Sequence, residues 1–145
     1  MPLHIAELDH VVLRVGDVER STRFYCDVLG CEEERRIAEL GLYQLRAGRA
    51  LIDLVDVASP LGRAGGDAAG AEARNMDHFC VRLDPFDEGE IRALLEEHGV
   101  EAGPTQQRYG AGGTGPSLYI RDPDENVVEL KGPPDTDPFP GADPT

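Results

Sequence analysis

Hydrophobic and polar positions along this chain repeat at two scales. Leu8-Asp9-His10-Val11-Val12-Leu13-Arg14-Val15 alternates with the period of a strand, and returns as Met76-Asp77-His78-Phe79-Cys80-Val81-Arg82-Leu83. Asp, His and Arg keep their places in both copies, and apolar residues fill nearly all the rest. The first copy predicts a strand from His4 to Val15, closed by Gly16-Asp17. Asp17 is a good N-cap, because its carboxylate can accept from free amides of a first helical turn. Val18, Phe24, Tyr25, Val28 and Leu29 then fall at helical spacing, and Gly30 ends the stripe. Cys31 to Ala38, Leu42 to Leu45 and Ala50 to Val57 read as further strands, turned at Gly41 and Ala47-Gly48-Arg49. The order is β-α-β-β-β.

From Ser59 to Asn75 large apolar groups thin out and glycine and alanine dominate, which predicts a flexible linker. The order then repeats. A strand is expected from Asp77 to Leu83, and Asp87-Glu88-Gly89-Glu90 offers a capping-box-like helix start. Ile91, Leu94, Leu95 and His98 form its stripe, and Gly99 stops it. Gly110 to Gly115 reads as a glycine-rich loop, Ser117 to Ile120 as a strand, and Asp122 to Asn126 as a tight turn into a last strand, Val127 to Lys131. Residues 132–145 form a proline-rich tail in which only extended or disordered chain is expected. The fold class is α+β: one domain over residues 1–131, with modules 4–58 and 76–131 joined by linker 59–75.

Composition narrows the functional classes. A formal net charge of -14 argues against nucleic acid or an anionic membrane as partner. No apolar run approaches the roughly 20 residues of a membrane span, and no secretory leader is visible. Cys26, Cys31 and Cys80 form neither a CxxC pair nor an even framework, as expected of a cytoplasmic protein.

Period-2 alternation places the chemistry. His10, Val12 and Arg14 share one face of the first strand, and Val11, Leu13 and Val15 share the apolar face that packs under the helix. By the same rule His78, Cys80 and Arg82 look into the hollow of a curved sheet. Asp53 and Glu129 sit between apolar neighbours in the closing strand of each module, and a carboxylate so placed is costly without a partner. A lone histidine on a half-buried strand is usually a hydrogen-bonded core residue, and a lone terminal-strand Glu is usually solvated or paired with arginine. Two histidines and two acids at equivalent points of a repeat instead match a metal site. His10, His78 and Glu129 are the expected ligands, with Asp53 either a fourth or a partner of Arg14 or Arg82. Two His and one carboxylate suit Fe, Mn, Ni or Zn as the divalent ion.

These residues resemble the vicinal oxygen chelate superfamily, which includes glyoxalase I, fosfomycin-modifying thiol transferases, extradiol dioxygenases and bleomycin-sequestering proteins. The resemblance rests on Leu8-Asp9-His10 and Asp77-His78, on Phe24-Tyr25-Cys26-Asp27-Val28-Leu29-Gly30, and on the closing stretch Tyr119 to Leu130. Glu125 stands where that family usually has glycine. The resemblance implies a curved mixed sheet around a metal bound by His10, His78 and Glu129. It sets Asp53 where glyoxalase I has a fourth ligand, Arg14 where an arginine contacts a substrate carboxylate, and Tyr119 where dioxygenases and thiol transferases carry a tyrosine. Glu129 or Asp53 would supply a catalytic base, and Arg14 or Arg82 would anchor an anionic arm of the substrate, with Cys80 lining the hollow. The activity so implied is that of a glyoxalase I-type lyase or isomerase. Extradiol ring cleavage, thiol transfer and metal-free drug binding are the alternatives. Open sheet edges, with the modular architecture, imply a homodimer.

Overall fold

In a computed structural model, which describes residues 4–135, the chain forms two four-stranded mixed sheets with the same internal order. The first contains β1 (His10–Val15), β2 (Glu32–Ile37), β3 (Leu42–Ala47) and β4 (Ala50–Asp56), ordered β1-β4-β3-β2. The second contains β5 (Phe79–Arg82), β6 (Gln106–Gly110), β7 (Gly113–Arg121) and β8 (Val127–Lys131), ordered β5-β8-β7-β6. In each the first strand lies parallel to the last, and the other pairs are antiparallel. A parallel pair needs a crossover, and here the helix and two intervening strands provide it. Both modules therefore have the β-α-β-β-β order that the alternation predicts. The chain divides into two compact units, Met1–Asn75 with Pro123–Glu125, and Met76–Asp122 with Asn126–Thr145.

In the first unit the packed face of β1, β3 and β4 carries Leu13, Leu45 and Leu54, all fully buried, with Val15 and Ile52. Tyr25 and Phe24 cover it, their rings 5.1 Å apart and edge-on. The first strand begins at His10 rather than His4, because β4 offers pairing partners only from Leu51 on, with one further bond from Leu51 N–H to Asp9 O. The helix is also not uniform. Asp17 caps it by accepting from the Arg20 amide at 3.0 Å, α1 runs Val18–Arg23, and Phe24–Val28 then widens into a π-turn. Gly30, at φ +76°, closes it while the Cys31 amide donates back to Tyr25 O. A left-handed residue here lets the last carbonyls find donors.

In the second unit Leu118, Ile120, Val128 and Leu130 bury against α2 (Glu88–Glu97) through Leu95. Asp87 caps α2 on the Glu90 amide at 3.0 Å. Leu94 stays exposed although it lies on the predicted stripe. The expected strand from Asp77 shortens to Phe79–Arg82.

Two expectations need correction. The Gly110–Gly115 loop is a β-hairpin: β6 and β7 meet across a two-residue turn, and Gly110 pairs with Gly113. Gly110, Gly113 and Gly115 belong to the ladder, a setting where glycine marks close approach of other atoms. The 59–75 linker is likewise not featureless. It holds a 3-10 turn at Gly62–Gly65, anchored where the Gly62 amide donates to Ser59 Oγ. Residues 136–145 of the predicted proline-rich tail lie outside the described residues.

At Glu125 the backbone is left-handed, φ 67°, in the turn where the family resemblance leads one to expect glycine. A side chain held there costs on the order of 1–3 kcal/mol, while glycine gives back part of that in unfolded-chain entropy. Glu125→Gly should therefore raise unfolding stability by about 1 kcal/mol, read as a higher urea midpoint at unchanged slope.

Candidate metal and substrate site

Each histidine of the repeat is held by the acid that precedes it. His10 Nδ1 lies 2.7 Å from Asp9 Oδ1, and His78 Nδ1 lies 2.6 Å from Asp77 Oδ2. A carboxylate accepts only, so each ring carries its proton on Nδ1, and when neutral it presents a lone pair at Nε2. This is the arrangement in which outer carboxylates orient metal-binding imidazoles. Sequence reasoning gave Asp9 and Asp77 no role, although the repeated Asp-His dipeptide sets each beside its histidine. The Asp9 hydrogen bond, with the charge of Asp53, raises the pKa of His10.

Strand register places each acid on the histidine's face. In β1 and β4, Val12 pairs with Asp53; in β5 and β8, Cys80 pairs with Glu129. The third strand completes each row, with Gln44 opposite Asp53 and Tyr119 opposite Glu129. The two modules therefore build the same row from Val12, Asp53 and Gln44 and from Cys80, Glu129 and Tyr119.

In the first row Gln44 Nε2 donates to Asp53 Oδ2 at 3.1 Å, while Asp53 Oδ1 is buried with no partner. Leaving a buried acceptor unsatisfied costs about 1–3 kcal/mol, and more for a charged group. In the second row Glu129 Oε1 stands 3.4 Å from His78 Nε2, and both Tyr119 and Cys80 are within hydrogen-bonding reach of its carboxylate. Burial and the Glu129 charge raise the Tyr119 pKa, so the phenol stays protonated and can donate. The same two causes push the Cys80 thiol up to about 11. The Tyr119 ring meets His78 edge-on at 5.4 Å, and the Arg108 guanidinium stacks over its other side at 4.4 Å.

The two arginines of the repeat differ. Arg14 is held by the 59–75 segment: Nε and Nη2 donate to Gly62 O at 3.3 and 3.1 Å, Nη1 to Asp67 O at 3.3 Å, and Nη2 also to Gly66 O. A Cβ on Gly65 would fall 2.3 Å from its Nε, so that glycine makes room for it. Such a guanidinium orders a loop. Arg82 is exposed and has no hydrogen bond or ion pair among the described residues. Among the described residues, no three His, Cys, Asp or Glu side chains gather as a metal cluster, and Asp53 makes no ion pair with Arg14 or Arg82.

Sequence comparison then decides the family: residues 7–130 match the Glyoxalase/Bleomycin resistance protein/Dioxygenase superfamily. The chain belongs to that superfamily. Among its members, a probable lactoylglutathione lyase of Vibrio parahaemolyticus is 30% identical over 83% of this chain and 86% of its own. An integron cassette protein of Vibrio cholerae superposes with a TM-score of 0.73 at 28% identity, covering 91% of this chain and 98% of that one. Lactoylglutathione lyase from Agrobacterium tumefaciens superposes at 0.64 with 26% identity, over 88% and 94%. These superfamily likenesses agree with the paired four-stranded sheets and leave the reaction open.

Exposure orders the cysteines. Cys80 is exposed, whereas Cys31 is buried and its thiol is also pushed up to about 11. Limited alkylation followed by peptide mapping should label Cys80 before Cys31. The Cys80 rate should climb about tenfold per pH unit until the medium nears 11, since the thiolate is the nucleophile.

Proposed function

We propose that this protein is a metal-dependent lyase or isomerase of the glyoxalase I type, acting on a small oxygen-rich molecule with a divalent ion held by His10, His78 and Glu129. The observation that carries this reading is the duplicated Asp-His pair, each with Nδ1 engaged by its own aspartate, beside a buried carboxylate in the same module, which in the second module stands 3.4 Å from His78 Nε2. The donors fit a divalent ion: two imidazoles, each with Nδ1 on its own aspartate, and one carboxylate. When bound, the ion would hold two neighbouring substrate oxygens and stabilise negative charge developing on them.

The remaining steps belong to the side chains. Gln44 fixes one oxygen of Asp53 and leaves the other free to take a proton from a carbon beside a carbonyl and return it to the neighbouring carbon. Tyr119 keeps its proton and lies opposite Glu129 on the next strand, where its hydroxyl would steady that carboxylate beside His78. Arg82, whose donors are uncommitted among the described residues, anchors an anionic part of the substrate; Arg14 is committed to the 59–75 segment. The working unit in this reading is a homodimer.

His78→Ala should abolish stoichiometric divalent metal after exhaustive dialysis, as read by elemental analysis. Full occupancy in that variant would sink the ligand assignment. Asp53→Ala should keep the metal, because Asp53 acts here as the base; loss of metal would make it a ligand instead. Light scattering should give twice the chain mass at micromolar concentration, and a monomer mass would remove the dimer from the proposal.

A further inference from the structure

Lys131, the only lysine of the chain, plays no part in the reading above. It lies on β8 two residues beyond Glu129, and is 7% exposed. Register sets it directly opposite Arg82 on β5 and opposite Ser117 on β7, so all three share one sheet face. Like charges directly opposite one another on neighbouring strands are destabilising. Here neither cation has an acid to offset it: among the described residues, Lys131 and Arg82 make no ion pair and no hydrogen bond. This holds in a protein with 28 Asp and Glu against 14 Lys and Arg.

The β6–β7 hairpin runs beside this pair. A Cβ on Gly110 would fall 2.8 Å from Lys131 Cε, and one on Gly115 would fall 3.1 Å from its Nζ. Arg82 Nη1 reaches to 3.8 Å from where a Gly112 Cβ would stand. Gly110 and Gly115 thus leave the space that the lysine occupies, and the arginine ends near the hairpin turn. Ser117, fully buried, accepts on Oγ from Arg108 Nη1 at 2.8 Å, which leaves its hydroxyl proton to donate.

We propose that Arg82, Lys131 and Ser117 form an oxyanion subsite, which binds a carboxylate or phosphate group of the substrate. One negative group between the two cations removes their repulsion and accepts from both, in charge-assisted hydrogen bonds of the stronger kind. The row lies two residues along β8 from Glu129, or about 7 Å, so the bound molecule has its anionic arm one short spacer away from its reacting oxygens. This deepens the metal-dependent reading and rests on it for the identity of the reacting end. The anion site itself stands on β5, β7 and β8 alone.

The test is calorimetric titration of the full chain, stripped of metal by chelator, with inorganic phosphate and separately with malonate at low ionic strength. At least one anion should bind the wild type, at least tenfold more tightly than it binds Lys131→Met or Arg82→Gln. The tighter of the two identifies the arm as phosphate-like or carboxylate-like. A chloride titration at matched ionic strength should give no such difference between wild type and variants. Lys131→Met should melt no lower than wild type without anion, and should lose the rise in melting temperature that the bound anion gives. If Lys131→Met does not fold, Arg82→Gln, altered at an exposed position, decides the matter. No binding of either anion, or equal binding by wild type and the folded variants, would overturn the subsite. Because the protein is metal-free throughout, that failure is separate from any failure of the metal assignment.

Discussion

The parallel pairing of first and last strand within each sheet is the constraint on which the rest depends. It brings together residues about 40–50 positions apart in sequence and fixes which of them share a face. With Val12 against Asp53 and Cys80 against Glu129, each module carries one buried acid on the face of its histidine. A slip of one residue would turn both acids into the apolar layer made by Leu13, Leu54, Val128 and Leu130. Burial of the apolar face therefore enforces the geometry of the polar one.

Equivalent backbones have been filled with different chemistry. Gln44 and Tyr119 occupy matching positions and both contact the local carboxylate, but one is an amide and the other a phenol kept protonated by its surroundings. Asp53 keeps one oxygen with no partner, whereas Glu129 has His78, Tyr119 and Cys80 around it. The unpartnered oxygen of Asp53 leaves an acceptor position open, whereas the carboxylate of Glu129 is held by its neighbours. The pseudo-symmetry of the fold thus permits a division of labour between two acids at related points.

The two arginines diverge in the same way. Arg14 lies opposite Val55, and its guanidinium turns to the carbonyls of Gly62, Gly66 and Asp67. Arg82 lies opposite Lys131 and finds no carbonyl of this kind among the described residues. A backbone segment with free carbonyls converts an arginine into a structural clasp, because five donors in a planar fork can satisfy several acceptors at once.

The repeat Leu8–Val15 and Met76–Leu83, read with period 2, by itself determined the two-module order, the packed face of β1 and the positions of His10, His78, Asp53 and Glu129 on the other. Alternation is a local property of the chain, and burial of one face makes it binding. The caps at Asp17 and Asp87 were legible for the same reason, since a side chain reaches only its own first turn. What lay beyond local pattern was decided by tertiary structure. Glycines at 110, 112, 113 and 115 read as a loop, but form a hairpin whose second strand, β7, pairs with β8, and Lys131 packs against two of them, Gly110 and Gly115. The strand expected from His4 started only at His10, where β4 began to offer partners. No spacing rule told Arg14 from Arg82, or showed that Gln44 would meet Asp53 and Lys131 would face Arg82. Such pairings depend on register between distant strands, and the sequence of one strand does not contain the register of its neighbour.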